Sequence, residues 1–366
     1  MIIRLRAQAL RWTVTVPVLA FVLLALAWGR SLPGPLVVLV SCFLAGAVLA
    51  AVHHAEVIAH RVGEPLGSLV LAVAVTIIEV ALIVTLMADS GAKNATLARD
   101  TVFAAVMITC NGILGLCILV GALRHRTVVF NAEGTGAALG TIATLATLSL
   151  VLPTFTTSTP GPQFSTTQLV FAATASIVIY LLFVTTLTVR HRDYFLPVTS
   201  SGQVLDADGH AEPPTSRQAF TSLAMLAVAL VSVVGLAKGV SPTIESVVAS
   251  AGLPSSVVGA VIALLVLLPE TIAAVRATLR NRVQISLNLA LGSALASIGL
   301  TIPAVAIASG WLSGPLVLGL GATHMVLLTL TIAVGTLTVV PGRATPLQGA
   351  VHLAVLAAYL VLAVSP

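Results

Sequence analysis

The sequence contains few charged and few aromatic residues. Of its 366 residues, 8% are charged and 4% are aromatic, whereas 58% are hydrophobic and the mean hydropathy is +1.11. Soluble domains carry roughly 25% charged residues, so this composition excludes an ordinary soluble protein. The low aromatic content also leaves few surfaces to line a large pocket for an organic solute. An integral membrane protein is expected instead.

Cysteines are scarce as well, and the usual enzyme motifs are missing. Cys42, Cys110 and Cys117 lie in apolar runs without metal-ligand spacing, so we expect no disulfide framework. The sequence has no Gly-x-Ser-x-Gly, His-Glu-x-x-His or glycine-rich phosphate loop. It also lacks a channel pore-loop motif and any basic run interleaved with aromatics. These absences argue against an enzyme, an ATP-driven pump, a channel and a nucleic-acid-binding protein, and no permanently bound cofactor is expected.

Long apolar runs, in contrast, are abundant. About 20 apolar residues span a bilayer core, and the sequence contains eleven such runs. They lie at 11–29, 35–55, 66–88, 101–122, 134–152, 167–189, 219–238, 255–276, 284–308, 315–339 and 347–364. The first run ends in Ala25-Leu26-Ala27, which resembles a signal-peptide cleavage site, but it continues to Trp28. We therefore interpret it as a retained helix. The expected fold class is an all-α integral membrane protein with eleven transmembrane helices.

Positive charge is distributed unevenly between the predicted loops. With a cytoplasmic N-terminus, thirteen of the seventeen lysines and arginines fall on the cytoplasmic side. The opposite side holds only Arg30, Lys93, Arg99 and Lys238. The positive-inside rule thus predicts a multi-pass plasma-membrane protein with its N-terminus in the cytoplasm. Its partners are then the lipid bilayer and a transported solute. The sequence does not determine the oligomeric state, and a homo-oligomer is one of the alternatives.

Two carboxylates lie inside predicted spans. Glu79 interrupts the apolar run 66–87, and Glu270 interrupts the run 257–275. A charge near the bilayer centre costs about 3 kcal/mol on insertion scales, so an intramembrane acid is a functional-site hypothesis by default.

The segments around these acids look like copies of each other. In each half, the helix that carries the Glu is followed by a helix rich in small and polar residues. That second helix carries Asn111 in the first half and Asn288, Ser293 and Ser297 in the second. In the predicted topology the copies run in opposite directions. This is the inverted-repeat plan of secondary transporters, whose site lies at the repeat interface.

Further oxygen atoms accompany both acids. Thr76 stands one helical turn before Glu79 and can add a hydroxyl. Pro269 removes a helical hydrogen bond and leaves the carbonyl of Leu265 free. Carboxylate, carbonyl, hydroxyl and amide oxygens suit a hard cation such as Ca²⁺. The alternatives are that Thr76 bonds within its own helix and that Pro269 only kinks the chain.

Two stretches resemble a known family. Residues 53–123 and 254–305 are similar to the cation/proton exchangers of the calcium/cation antiporter superfamily, and most of all to the bacterial ChaA-type branch. The similarity is carried by HHAEVIAHRVGEPLGSLVLAVAVTIIEVALIVTLM and LLPETIAAVRATLRNRVQISLNLALGSALASIGLTIPA. It implies a bacterial inner-membrane protein that exchanges Ca²⁺, or alternatively Na⁺ or K⁺, for protons. It also implies that Glu79 and Glu270 bind the cation and the protons.

The resemblance implies a four-part organisation. A peripheral helix (1–33) precedes a first five-helix repeat (34–189), a cytoplasmic linker (190–218) and a second five-helix repeat (219–366). One departure concerns ion selectivity. Many calcium/proton members carry Gly-Asn-Ala before each Glu, whereas here Thr76-Ile77-Ile78 and Leu267-Leu268-Pro269 precede them. This weakens the case for strict calcium selectivity.

Other polar residues have open interpretations. Glu56 matches a family acid and, with His53 and His54, could relay protons or gate entry. The alternative is an interfacial polar cap on a helix end. We expect His324 in mid-span and His352 early in the last span to bond neighbouring carbonyls. A solvated outer loop is expected around Asp89, Lys93, Arg99 and Asp100.

Charge balance predicts the mechanism. Two ionised carboxylates in a site of low dielectric constant repel each other and are poorly solvated. One Ca²⁺ or about two protons can neutralise such a pair, but both together cannot. If only the neutralised forms change between inward-open and outward-open states, the protein exchanges the cation for protons.

Overall fold

In the computed structural model, the described residues are 2–30, 34–62, 66–90, 95–198, 214–254, 256–312 and 314–365. Almost all of them lie in helices, with one short pair of strands. The elements are α1 (Ile2–Ala27), α2 (Gly34–Val62), α3 (Leu66–Ser90), α4 (Leu97–Met107), α5 (Leu114–His125), β1 (Val128–Val129), α6 (Ala132–Ala146), α7 (Thr166–Thr185), α8 (Ser216–Ser250), α9 (Ser256–Leu279), α10 (Val283–Ala296), α11 (Ile302–Ala308), α12 (Ala322–Val339), β2 (Arg343–Ala344) and α13 (Pro346–Val364).

The predicted all-α membrane fold is confirmed. In the described part of the chain, nine helical segments are long and apolar enough to cross a membrane. The two remaining predicted spans fall on α1 and α3, which contain the shorter apolar stretches Trp12–Ala27 and Val73–Ala88.

Wider, π-helical turns interrupt several of these segments. One joins α4 to α5 at Ile108–Ile113, and another joins α10 to α11 at Ser297–Thr301. We call them the Asn111 turn and the Ser297 turn. Two more follow α6 at Thr147–Val151 and α7 at Thr186–Arg190. A π turn disturbs the regular helical hydrogen bonds and occurs frequently at functional sites.

The tenth helix begins later than expected. The predicted span 315–339 is wrong for its first seven residues, since α12 begins at Ala322 and the preceding residues 315–321 are not helical. Its backbone bonds other parts of the chain instead: the Val317 amide donates to the Ala95 carbonyl at 3.1 Å, and the Leu320 amide donates to the Leu150 carbonyl at 2.8 Å. A Cβ atom on Gly319 would lie 2.5 Å from Oγ1 of Thr154, so only glycine fits there.

The chain divides into two compact units. Unit 1 comprises Met1–Ser90 and His210–Gly252, and unit 2 comprises Gly91–Gly209 and Leu253–Pro366. This division follows packing. The predicted organisation into a peripheral helix, two repeats and a linker follows sequence similarity and stays a prediction.

Unit 1 is built from α1, α2, α3 and α8. α2 packs against the other three, and α8 also contacts α1 and α3. Small residues allow this close packing, since Ala47, Ala50 and Ala51 of α2 are fully buried. A Cβ atom on Gly235 of α8 would lie 2.5 Å from a side-chain carbon of Leu24 in α1. Unit 1 therefore has its core along α2.

Unit 2 contains α4–α7, α9–α13 and the two strands. α9 packs against α4, α5 and α10, while α13 packs along α5 and α12. β1 and β2 pair antiparallel, with Val128 opposite Ala344 and Val129 opposite Arg343. The largest fully buried side chains of this unit include Phe103, Leu145, Leu150, Leu287 and Leu291.

The predicted linker is described only in part. Its start forms a short 3₁₀ turn at Arg192–Phe195, and Phe195 is buried. Residues 199–213 lie outside the described residues.

Candidate cation site

Glu79 is buried in unit 1. It lies in α3, which packs against α2 and α8, and only 4% of it is exposed. Thr76, one turn earlier on the same side, is 5% exposed, whereas Ile77 between them is 48% exposed. The hydroxyl of Thr76 and the carboxylate of Glu79 are therefore buried together with aliphatic neighbours such as Ile78, as expected of a polar site in an apolar span.

Glu270 is buried in unit 2. It lies in α9 beside Pro269, and both are buried, while Leu268 and Ile272 face outward. α9 runs through Pro269 without ending and packs against α4, α10 and the Asn111 turn. A Cβ atom on Gly259 would lie 3.0 Å from the backbone of Asp100, so α9 and α4 approach closely. Unit 2 thus gathers the helices of Asn111, Ser293, Ser297 and Asn288 around the helix of Glu270.

Asn111 is completely buried within its turn. Its Nδ2 donates to Oγ1 of Thr331 at 2.9 Å, and its Oδ1 lies 3.1 Å from Nδ1 of His352. His352 also contacts Oγ1 of Thr338 at 3.1 Å. The Cys110 backbone carbonyl is a further hydrogen-bond partner of His352, in agreement with the expected carbonyl contact, and the two side-chain partners add to it. Polar residues at 331, 338 and 352 within apolar spans were the only sequence signal for this network.

The three predicted residues of α10 have different surroundings. Ser297 is buried in its turn and Ser293 is half-buried. Asn288 donates to the Phe195 carbonyl at 2.7 Å and accepts from Nε2 of Gln284 at 2.8 Å. Oε1 of Gln284 in turn accepts from the Asn131 amide at 2.6 Å. Asn288 therefore anchors the start of the linker, and these contacts give no support to a role as a cation ligand.

The histidine pair of α2 is part of the packing of unit 1. His54 is 3% exposed, with Nε2 3.0 Å from the Thr13 carbonyl and Nδ1 3.2 Å from Oγ of Ser222. Because a carbonyl only accepts, Nε2 carries the proton. His53 is half-buried beside the Trp12 ring, and Glu56 is half-buried as well. His54 thus joins α2 to α1 and α8, and a role of His53, His54 and Glu56 as a proton path or gate stays a prediction.

The interpretation of Arg99 and Asp100 as a solvated loop is wrong. Asp100 lies in the first turn of α4 and is 4% exposed. Its Oδ1 forms an ion pair with Arg99 at 2.8 Å, and its Oδ2 accepts from Oγ1 of Thr96 at 2.8 Å. Arg99 also donates to the Gly319 carbonyl at 3.1 Å, which fixes the non-helical segment before α12. The two residues therefore stabilise this end of unit 2.

His324 lies at a helix end. It is in the first turn of α12, so the mid-span expectation is wrong, and its ring is 4.7 Å from that of Phe103. Among the described residues, no group of three or more His, Cys, Asp and Glu side chains is arranged to hold a metal ion.

The chain resembles known membrane proteins over nearly its whole length. Residues 34–189 and 221–365 match the family of sodium/calcium exchanger proteins. The chain is 48% identical over 362 residues to y4hA of Sinorhizobium fredii (strain NBRC 101917 / NGR234), covering 97% of this chain and 96% of that protein. It is 35% identical over 348 residues to the sodium-potassium/proton antiporter ChaA of Escherichia coli (strain K12), covering 94% and 93%. The fold is similar to that of native YfkE, with a TM-score of 0.71 at 18% identity over 97% of this chain and 99% of that one.

Proposed function

Because the chain belongs to the family of sodium/calcium exchanger proteins, we propose that it is a secondary active antiporter that exchanges a cation for protons through Glu79 and Glu270. The family is one of membrane transporters for inorganic cations, not one of enzymes. Ca²⁺ is the proposed cation, and the bacterial inner membrane, with the N-terminus in the cytoplasm, is the proposed location.

The burial of the two acids is the observation that carries the proposal. Each is 4% exposed on an apolar helix, and each lies in a different unit. A buried carboxylate is expensive unless it is neutralised. A transported cation and protons can perform this neutralisation in turn, which couples the two fluxes.

Oxygen chemistry supports a hard cation. Thr76 accompanies Glu79 on α3, and Ser297 is buried on the helix that packs against the Glu270 helix. These hydroxyls and the two carboxylates suit Ca²⁺, which accepts six to eight oxygen ligands and favours a high negative charge. The amides contribute less, since Asn288 is engaged elsewhere.

A second candidate is the exchange of Na⁺ or K⁺ for protons. It is favoured by the 35% identity to the sodium-potassium/proton antiporter ChaA. The absence of Gly-Asn-Ala before either acid points in the same direction. With a monovalent cation, the same carboxylate pair would retain one proton or bind two cations for charge balance.

Everted membrane vesicles from cells that overproduce the protein test the proposal. A pH gradient is established, and Ca²⁺, Na⁺ or K⁺ is added over a concentration series while the gradient is monitored. Ca²⁺ is expected to collapse the gradient at the lowest concentration. If Na⁺ or K⁺ acts at a lower concentration, the second candidate replaces the first.

Matched variants test the two acids. Glu79→Gln and Glu270→Gln should each abolish cation-driven collapse, because the amide is nearly isosteric but neither binds a proton nor carries charge. Glu133→Gln, at an exposed position in the first turn of α6, should transport normally. All three proteins should elute as folded species in detergent. Normal transport by either intramembrane variant would refute the assignment of that acid.

A further inference from the structure

A buried histidine outside the exchange mechanism lies beside the Asn111 turn. His352 belongs to α13 and is 1% exposed. Its two ring nitrogens contact Asn111 Oδ1 and Thr338 Oγ1, each at 3.1 Å. The imidazole therefore links α13 to the Asn111 turn and to α12, all within unit 2.

The hydrogen-bond partners fix the orientation of the Asn111 amide. The Thr331 hydroxyl has one proton, which it donates to the Leu327 carbonyl at 2.8 Å. Thr331 must then accept from Asn111, so Nδ2 of the amide faces Thr331 at 2.9 Å. The amide oxygen consequently faces His352.

The same reasoning places the proton of His352. An amide oxygen only accepts, so Nδ1 of His352 carries a proton and donates to Asn111. In a neutral imidazole Nε2 is then an acceptor, and the Thr338 hydroxyl can donate to it. Thr329 and Thr336 of the same helix donate instead to carbonyls four residues earlier. The Cys110 carbonyl also accepts a hydrogen bond from the imidazole, which agrees with a ring that carries a proton.

Close helix packing holds the imidazole in place. A Cβ atom on Gly115, one turn after Asn111, would lie 2.7 Å from Cβ of His352. A Cβ atom on Gly349 would lie 2.6 Å from the Leu119 backbone nitrogen. α5 and α13 therefore approach to backbone contact, and little space remains for His352 to turn away from Asn111.

We propose that His352 is a positioning residue of the cation site. Its imidazole holds the Asn111 side chain so that the amide oxygen, and not the NH₂ group, faces the ring. The Asn111 turn packs against the helix of Glu270, and the amide oxygen keeps a second lone pair for a cation or for an ordered water. Loss of the Nδ1 donor would let the amide rotate and present its NH₂ group, which disfavours a cation. This inference rests on the proposed function, because it takes Asn111 as a supporting residue of that site.

The tautomer can be measured without any transport assay. Protein labelled with ¹⁵N-histidine is reconstituted in lipid, and its imidazole nitrogens are observed by solid-state NMR near neutral pH. The His352 signals are assigned by their loss in His352→Asn. A neutral ring protonated at Nδ1 is expected, whereas protonation at Nε2 alone, or at both nitrogens, would overturn the inference.

Two substitutions then separate the roles of the ring nitrogens. In His352→Asn the side-chain NH₂ can replace Nδ1–H, while in His352→Gln the amide reaches the position of Nε2 and the donor to Asn111 is lost. His352→Asn should retain the wild-type cation concentration for half-maximal transport. His352→Gln should raise it about tenfold, with a smaller change in maximal rate, since one buried bond is lost. Equal values for the two variants would contradict the positioning role.

A double-mutant cycle shows whether His352 acts through Asn111. Asn111→Ala should itself raise the half-maximal concentration, and His352→Gln added to it should change that value less than about twofold. A further tenfold change in the Asn111→Ala background, or no effect of Asn111→Ala alone, would refute the inference. If Glu270→Gln transported normally, the proposed function would fail, but the NMR result would still decide the orientation of Asn111.

Discussion

Two buried hydroxyls stand apart from the other polar side chains of unit 2. Thr101 in α4 and Thr301 in the Ser297 turn are fully buried, and in the described structure neither hydroxyl has a hydrogen-bond partner. α4, which contains Thr101, packs against the Ser297 turn, which contains Thr301. A hydroxyl buried without a partner costs free energy, particularly at membrane depth.

Replacement of these hydroxyls should therefore stabilise the protein. Thr101→Val and Thr301→Val keep the shape of the side chain and remove the unsatisfied group, so each should increase the free energy of unfolding by about 1 kcal/mol. Thr331→Val, which removes a hydroxyl with bonds to Asn111 and the Leu327 carbonyl, should have the opposite effect. Thermal unfolding in detergent gives the comparison. A loss of stability or of transport in Thr101→Val would show that its hydroxyl is solvated or binds a ligand.

Glycine determines how closely the helices of unit 2 pack. Gly349 in α13 faces the backbone of α5, and a Cβ atom there would lie 2.6 Å from the Leu119 nitrogen and 2.9 Å from the Gly115 carbonyl. Neither group can rotate away as a flexible side chain could. The contact between α5 and α13, which also carries His352, thus depends on this residue.

Gly349→Ala should separate α5 from α13 and destabilise the protein by about 2 kcal/mol, as overpacking of a core does. Gly140→Ala in α6 is the matched control, because a Cβ atom there would meet nothing within 4 Å. The control should be neutral or slightly stabilising, since alanine favours helix. The unfolding temperatures of the two variants and of the wild type test this prediction. Equal temperatures for Gly349→Ala and the wild type would contradict the close approach.

The sequence predicts long helices well because the length and composition of an apolar run determine whether it can span a bilayer. The start of α12 is not predictable in this way, since residues 315–321 are held by hydrogen bonds to Ala95, Leu150 and Pro162, which are distant in sequence. The same holds for Asp100, whose burial depends on Arg99 and on the segment that Arg99 binds. Local patterns do not encode such tertiary partners.

The residues of the candidate site also differ in whether the sequence alone can identify them. Glu79 and Glu270 can be located from the sequence, because a charged residue in an apolar run is conspicuous. The partners of Asn111 cannot, since His352 and Thr331 lie 241 and 220 residues away in the chain. The π turns are also invisible in the composition of their helices. Sequence therefore identifies the acids, and the structure identifies the side chains that surround the supporting residues within each unit.

At the scale of the whole molecule, the number of membrane crossings determines on which side of the membrane each loop lies. Eleven crossings with a cytoplasmic N-terminus put the end of the chain on the opposite side. α1 decides the orientation of all later spans, and its apolar stretch Trp12–Ala27 follows a segment with Arg4, Arg6 and Arg11. Thirteen of the seventeen basic residues lie on the cytoplasmic side only if α1 does cross.

Reporter fusions test this arrangement. Alkaline phosphatase folds with disulfides and is active only outside the reducing cytoplasm, so fusions after Arg30 and after Ser365 should be active. A fusion within residues 199–213, in the predicted cytoplasmic linker, should be inactive, and green fluorescent protein fused at the same points should show the reverse pattern. An inactive phosphatase after Arg30 together with an active one in the linker would mean that α1 lies on the membrane without crossing it. All later spans would then cross the membrane in the opposite direction, and the predicted linker would lie outside the cytoplasm.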